Sequence, residues 1–597
     1  MSLATLNDIF FAIVGRDNPR VTMHRQASGG WAPISSRELY RNVSGTARKL
    51  LNWTIAKGDR VAILGENRPE WTTADFACQL IGAVSVPIYS TLTAQQTQFI
   101  LQDAGCRVIF LSTEAQLRKL ESIRAQTPVE KVVVMDPVES TQAFGMAQLM
   151  REGPENGDPG LDAGARRITS DDLATIIYTS GTTGVPKGVM LTHGNLASNI
   201  EYSLKSFEFP GEQVSLSFLP LSHVTARHVD FALLYNGVTL AYCPFVDQLS
   251  QTLLEIRPTM FVSVPRVYEK IHAQADLKAK DFPKKQIFHW ALSVGRAHEK
   301  EVLAGKTPRS LSWKLADKLV YSKIRAGMGG RGQVFISGGA PLGRELAQWF
   351  VHVGIRIHEG YGLTETSPVI AVNTPRDHKL GTVGKPLGNV EVRIEEDGEI
   401  LVRGPSVFKG YWKQASETEK AFTDGWFKTG DIGNLDGDGY LSVTDRKKDL
   451  LKTSGGKFIA PQPIENSLKH NALVAEAIVV GDKRKFPAVL IAPYFPMLEA
   501  WARNNEITYS SRTELVHNPL VKELYDRIVE DVNRNLARFE KLKRAILLAD
   551  EFTPQDGMLT HSMKLRRRAV EERYRSLIDD VYANAEAAPA VSHITGD

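Results

Sequence analysis

The chain has 597 residues, with 72 lysines and arginines against 68 acidic residues, a formal charge of +4, 43% hydrophobic and 23% charged residues. That is about four times a common domain length, and the ordinary globular composition excludes wholesale disorder and collagen-like repetition. The near balance of charge argues against a nucleic-acid binder, whose basic residues would dominate its surface.

Cys78, Cys106 and Cys243 stand far apart with no CxxC pair, which excludes a disulfide scaffold and a thiolate zinc site and fits a reducing cytosol. No apolar run approaches the roughly 20 residues of a membrane-spanning helix. The start, MSLATLNDIFFAIVGRDNPR, has neither a basic leader nor a clear small-residue cleavage site. A soluble cytoplasmic protein is the expectation.

Along the chain, Arg37 to Trp53 carries apolar residues at helical spacing, and Arg60 to Gly65 (RVAILG) reads as a short buried strand. GAVSVPIY and CRVIFLS repeat the strand pattern, each after a helical stretch. Strands separated by helices predict an α/β fold with a parallel sheet covered on its faces. After Gly388 the texture changes: VEVRIEEDGEILVRG, GYLSVTDR and KFIAPQPIE read as short strands joined by Asp-Gly and Gly-Gly turns. VAEAIVVGDKRKFPAVLIAP supplies two more strands, and YANAEAAPAVSHITGD reads as a disordered tail. A boundary is placed at Asp445, in the charge-dense TDRKKD, a run that by itself would be a solvated turn.

Leu173 to His193 (LATIIYTSGTTGVPKGVMLTH) carries the most chemistry. A β-branched strand from Ala174 to Tyr178 enters a loop rich in glycine and hydroxyl side chains. Glycines such as Gly181 and Gly184 let backbone N–H groups approach an anion closely. Thr179, Ser180, Thr182 and Thr183 add donors, and Lys187 supplies a point charge for phosphate oxygens. It is not a Walker loop, because Pro186 precedes Lys187 and Gly188 follows it. The pattern is that of a polyphosphate cradle.

YTSGTTGVPKGV resembles the signature of the adenylate-forming superfamily, which contains acyl-CoA synthetases, luciferases and peptide-synthetase adenylation domains. The resemblance extends in order over nearly the whole chain. FISGGAPL, with Gly339 and Ala340, leaves room for a flat ring against backbone. In IHEGYGLTETSP the resemblance assigns Glu359, Gly360, Tyr361 and Gly362 to the nucleotide, with Tyr361 stacked on adenine. It gives Thr364 to the α-phosphate and Glu365, with Thr179, to Mg2+. Asp431 of GWFKTGDIG would accept both ribose hydroxyls. Asp445 matches the family's hinge, and Arg446 and Lys448 match positions near ribose and phosphates. Lys452, Gly455 and Gly456 match a segment lining the thioester-forming site after a domain rotation, and Lys564 matches the adenylation lysine. His561 stands where the family often has proline.

The resemblance therefore implies a large domain over residues 1–444 with ATP and acyl sites, a hinge at 445–449, a small mobile α+β domain over 450–580 and a flexible tail at 581–597. FLPLSHVTARH, SVPRVYEKI, the ending LTxxMKLRRR and a helical insert from Gln286 to Gly327 most resemble long-chain fatty acyl-CoA synthetases. His223 and Arg227 fall in a segment that borders the acyl tunnel in relatives, although a buried polar contact explains His223 equally well. The implied reaction joins a fatty acid to CoA through an acyl-adenylate, with ATP and CoA as co-substrates and Mg2+ as cofactor. A fatty acyl-AMP ligase serving a carrier protein is the rival. Peripheral membrane contact and a homodimer stay open, and HSMKLRRRAVEERYR reads as a solvated helix face before an anionic-lipid contact.

Overall fold

Val61, Ala62, Ile63 and Leu64 offer no polar face, so as a strand they must be covered on both sides, and all four are buried. The computed structural model describes residues 3–587 apart from positions 27, 141, 156, 180–185, 280, 455–456, 554–555 and 561–564. In it, strand Arg60–Leu64 lies between the parallel strands Val84–Ile88 and Cys106–Leu111 of an eight-stranded sheet. Helices Pro69–Ile81 and Ala94–Ala104 make the crossovers. Leu173–Thr179 joins the sheet in parallel at Ser85↔Thr175, and Lys187–Thr192 folds back on it antiparallel, with Thr179 opposite Lys187. The short strand Gly410–Tyr411 closes that edge.

A five-stranded sheet holds Met260–Ser263, Val334–Ser337 and Ile357–Gly362 in parallel, extended antiparallel by Val369–Val372. A third sheet contains Trp426–Leu435 and Leu441–Arg446, which place Asp431 opposite Arg446. Helices Lys284–Ala297, Leu311–Ala316 and Ser322–Gly327 pack on the second sheet through a core that includes Trp313, Tyr321 and Phe350. Cys78, Cys106 and Cys243 are all free and buried. Among the described residues no helix is long and apolar enough to cross a membrane.

From Leu451 onward the chain builds separate cores, one around Ile464, Val489 and Tyr525 and one around Ile478, Phe552 and Tyr582. The fold is thus mixed α/β, a large N-terminal domain followed by a smaller one. Three sequence expectations are corrected here. KFIAPQPIE is a strand only at Phe458–Ile459; Pro461, well suited to a first helical turn, opens the helix Pro461–Lys469. The expected tail at 581–597 begins too early, because helix Arg575–Ala587 covers its first residues and the Tyr582 hydroxyl donates to the carbonyls of Val480 and Phe486. The solvated face expected of HSMKLRRRAVEERYR also fails at Arg567, whose side chain, only 14% exposed, pairs with Glu465 and donates to the Val479 carbonyl.

Helix Pro461–Lys469 of the smaller domain packs near helix Pro265–Lys278 of the larger one. The His272 and His470 rings stack 5.4 Å apart at 9°, Lys469 Nζ lies 3.8 Å from Glu269 Oε1, and Arg266 pairs with Glu476. Asp445 sits at the junction. Its Oδ2 accepts the Gln462 N–H at 2.9 Å, capping the first turn of that helix, and its Oδ1 accepts the Arg446 N–H at 2.7 Å. Burial pushes its carboxyl up to about 6.

Candidate functional site

The three sheets and the smaller domain enclose one cavity of about 3420 Å³. Its polar end gathers residues far apart in sequence. Tyr361 is the last residue but one of strand Ile357–Gly362, whose final glycine cannot be replaced: a Cβ on Gly362 would lie 1.7 Å from the Pro368 carbonyl oxygen. That close approach lets the Leu363 N–H donate to Pro368 O at 3.1 Å and turns Thr364–Thr366 into a short 3-10 helix facing the cavity. The Tyr361 hydroxyl donates to Asp431 Oδ2 at 2.7 Å, and Arg446 Nε lies 3.6 Å from Asp431 Oδ1. Burial, then the Asp431 charge, pushes the Tyr361 phenol well up, so it stays a donor.

Beside this cluster, Glu365 Oε1 accepts the Tyr411 hydroxyl at 3.0 Å. Burial raises the Glu365 carboxyl and pushes that of Glu359 up to about 7. Glu359 receives the Leu342 N–H at 3.4 Å, just after Gly339, whose φ of 82° needs glycine. Lys187 Nζ pairs with Glu417 Oε2 at 2.6 Å. Lys448 also faces the cavity, and burial followed by Arg446 lowers its ammonium.

The wall therefore unites Thr179, Lys187, Gly339, Ala340, Glu359, Gly360, Tyr361, Gly362, Thr364, Glu365, Asp431, Arg446 and Lys448. Asp445 reaches it too, as does His223, whose Nδ1 accepts the Thr225 N–H at 3.1 Å. Arg227 does not, and its expected place at the acyl tunnel is corrected. It is buried in a two-point ion pair with Asp75, Nε–Oδ2 at 2.6 Å and Nη2–Oδ1 at 2.8 Å. Lys452 also stands outside the cavity wall, exposed, with Nζ 5.3 Å from the Phe458 ring centre. Ser180, Gly181, Thr182, Thr183, Gly184, Gly455, Gly456, His561 and Lys564 lie outside the described residues. Thr560 and Leu565, which flank the last two of these, line the cavity.

Sequence reasoning missed Tyr411 and Glu417. Their partners Glu365 and Lys187 lie 46 and 230 residues away, so no local spacing reports them. The same cavity is also lined by the apolar side chains of Val264, Ile271, Ala275, Phe288, Leu319 and Ile324.

A family model for AMP-binding enzymes matches residues 14–412, and one for the C-terminal domain of AMP-binding enzymes matches 448–586. The chain belongs to the AMP-binding enzyme family. It is 37% identical over 575 residues, 95% of each chain, to the long-chain-fatty-acid–CoA ligase FadD15 of Mycobacterium tuberculosis. It is 30% identical to the long-chain-fatty-acid–CoA ligase ACSBG2 of Homo sapiens, covering 97% of this chain and 92% of that one. Among solved structures, the A domain of a carboxylic acid reductase from Segniliparus rugosus, in complex with AMP and a carboxylic acid, shares the fold. Its TM-score is 0.75 at 22% identity, over 98% of this chain and 94% of that one. The anthranilate CoA ligase AuaEII, in complex with anthranoyl-AMP, superposes with a TM-score of 0.74 at 19% identity, over 97% and 99%.

Proposed function

We propose that this AMP-binding enzyme is a long-chain fatty acid–CoA ligase, converting ATP, a fatty acid and CoA into acyl-CoA, AMP and diphosphate through an acyl-adenylate. The observation that carries the reading is one cavity lined both by the nucleotide-type polar residues and by many apolar side chains. The relatives aligned over nearly the whole chain are CoA ligases, which favours CoA over a carrier protein as acceptor.

A carboxylate is a poor electrophile because its charge and resonance repel a thiolate. In the first step a carboxylate oxygen attacks the α-phosphorus of ATP, a new P–O bond forms and diphosphate leaves. Asp431 holds the ribose hydroxyls, Tyr361 lies against adenine, and Thr364 and Lys564 face the α-phosphate as charge shifts. Lys187 and the Ser180–Gly184 loop hold the outer phosphates. This is catalysis by positioning and electrostatic stabilisation. In the second step the CoA sulfur attacks the acyl carbon, the bond to AMP breaks, and the thiol proton passes to solvent. Rotation at Asp445 withdraws Lys564 and presents Lys452, Gly455 and Gly456.

Mg2+ asks for few protein ligands, usually one or two carboxylates beside phosphates and water. Among the described residues no cluster of three histidine, cysteine or acidic side chains exists, but the half-buried Glu365 carboxylate with the Thr179 hydroxyl on the same wall fits that modest demand. When bound there, the ion would neutralise phosphate charge. The acyl end also suits lipid. Phe245, Val246, Leu254 and Ile287 are exposed and at the same time line the cavity, and Lys278, Lys284 and Lys323 line it beside them. This apolar and basic mouth rests peripherally on an anionic bilayer.

The test is isotope exchange between labelled diphosphate and ATP with Mg2+, across acid chain lengths, followed by acyl-CoA formation on adding CoA. Exchange that requires a long-chain acid is expected, and absence of exchange overturns the reading. Lys564→Ala should abolish exchange while sparing thioester formation from supplied acyl-adenylate; equal loss of both steps would count against the rotation.

A further inference from the structure

Lys187 leaves the hairpin that carries the phosphate loop, and the neighbouring edge strand Gly410–Tyr411 is bonded to that hairpin by its backbone. Tyr411 pairs with Val189, and the Trp412 N–H donates to Gly188 O at 2.7 Å. The same segment is tied to Glu365 twice, by the Phe408 N–H to Glu365 O at 2.8 Å and by the Tyr411 hydroxyl to its carboxylate. Helix Ala415–Lys420 follows at once, locked to the strand where the Tyr411 N–H donates to Thr418 Oγ1 at 2.9 Å. Across this frame the Lys187 ammonium lies 5.2 Å from the centre of the Tyr411 ring and ends on Glu417.

Lys187 is thus aimed by an aromatic ring and a carboxylate that belong to no phosphate-binding motif. Its side chain is 16% exposed and that of Glu417 36%, so the pair stands at the cavity wall, open to exchange with an incoming anion. Glu417 has a second cation, Lys420, on its other oxygen at 2.9 Å, so losing Lys187 would not leave its charge unpaired. Lys187, then Lys420, holds the Glu417 carboxyl down to about 2, so it is charged at any working pH.

Resting on the reading that Lys187 serves the outer phosphates, we propose that Glu417 is a positioning residue: it holds Lys187 along the Tyr411 ring in the empty enzyme and surrenders it to the β- and γ-phosphates when nucleotide binds. The ion pair is a competitor of the phosphates as well as a guide. Glu417→Gln keeps an acceptor of the same shape and removes the competing charge.

Affinities for ATP, diphosphate and AMP are measured by calorimetry on the full-length protein. Glu417→Gln should tighten ATP and diphosphate by about two- to fivefold, the range of a partly exposed ion pair, and leave AMP, which lacks the outer phosphates, unchanged. In a Lys187→Ala background the gain should vanish. Unchanged ATP affinity, an equal shift for AMP, or a gain that survives Lys187→Ala overturns the exchange while leaving the nucleotide site standing. Failure of the unaltered protein to bind either nucleotide overturns both.

Discussion

Arg227 shows how a residue's meaning is decided by one distant partner. Asp75, 152 positions earlier, takes its guanidinium at two points inside the core. Removing one partner of a buried pair leaves the other charge stranded, at a cost of about 3–5 kcal/mol. Asp75→Ala should therefore lower the large domain's stability in chemical denaturation by that amount, while Asp75→Leu combined with Arg227→Met should recover most of it. His228 makes a pH prediction. It is buried, its Nε2 lies 2.9 Å from Ser203 Oγ, and burial lowers its pKa to about 3. An unfolded histidine titrates near 6.5, so on acidification the unfolded chain takes the proton first. The stabilisation is complete above about pH 6.5, is lost as pH falls toward 3, and is down by about 2 kcal/mol at pH 5. Asp230, whose carboxyl burial raises to about 7, acts in the opposite sense. The check is therefore a difference: between pH 7.5 and 5, His228→Gln should lose about 2 kcal/mol less stability than the unaltered chain.

At the scale of elements, the parallel strands were legible because their apolar, β-branched runs leave no solvent face. KFIAPQPIE, read whole as a strand, misled because only Phe458 and Ile459 form one, and the proline three residues after Phe458 starts a helix. The site was legible where a motif is local, as for Glu359 to Glu365. It was not legible for Tyr411, Glu417 and Asp75, which act on residues that only the sheet order brings near. The contact between helices Pro265–Lys278 and Pro461–Lys469 carries a prediction of its own. The Arg266–Glu476 pair belongs to the arrangement in which Thr560 and Leu565 line the cavity and Lys452 does not. Arg266→Ala should slow the diphosphate exchange several-fold and affect thioester formation from supplied acyl-adenylate much less. Equal effects on the two steps would show that the contact does not distinguish them.

For the molecule as a whole, one cavity is lined by both ionic groups and apolar side chains, and several of the apolar ones, Phe245, Val246 and Leu254 among them, are exposed. Replacing Phe245 and Leu254 together by serine should reduce co-sedimentation with vesicles containing phosphatidylglycerol by about tenfold, since each removes apolar surface that would leave water. Activity on a freely dissolved medium-chain acid should hardly change. Unaltered vesicle binding would overturn the proposed lipid contact at these residues.

The three cysteines have a practical bearing on all of these measurements. Each is buried, and burial pushes the thiols of Cys78 and Cys243 up and that of Cys106 to about 12. Only a thiolate attacks a disulfide dye at useful speed. The native enzyme should be invisible to such a dye, so the colour that disappears during turnover reports coenzyme alone, whereas denaturant should reveal three sulfhydryls per chain.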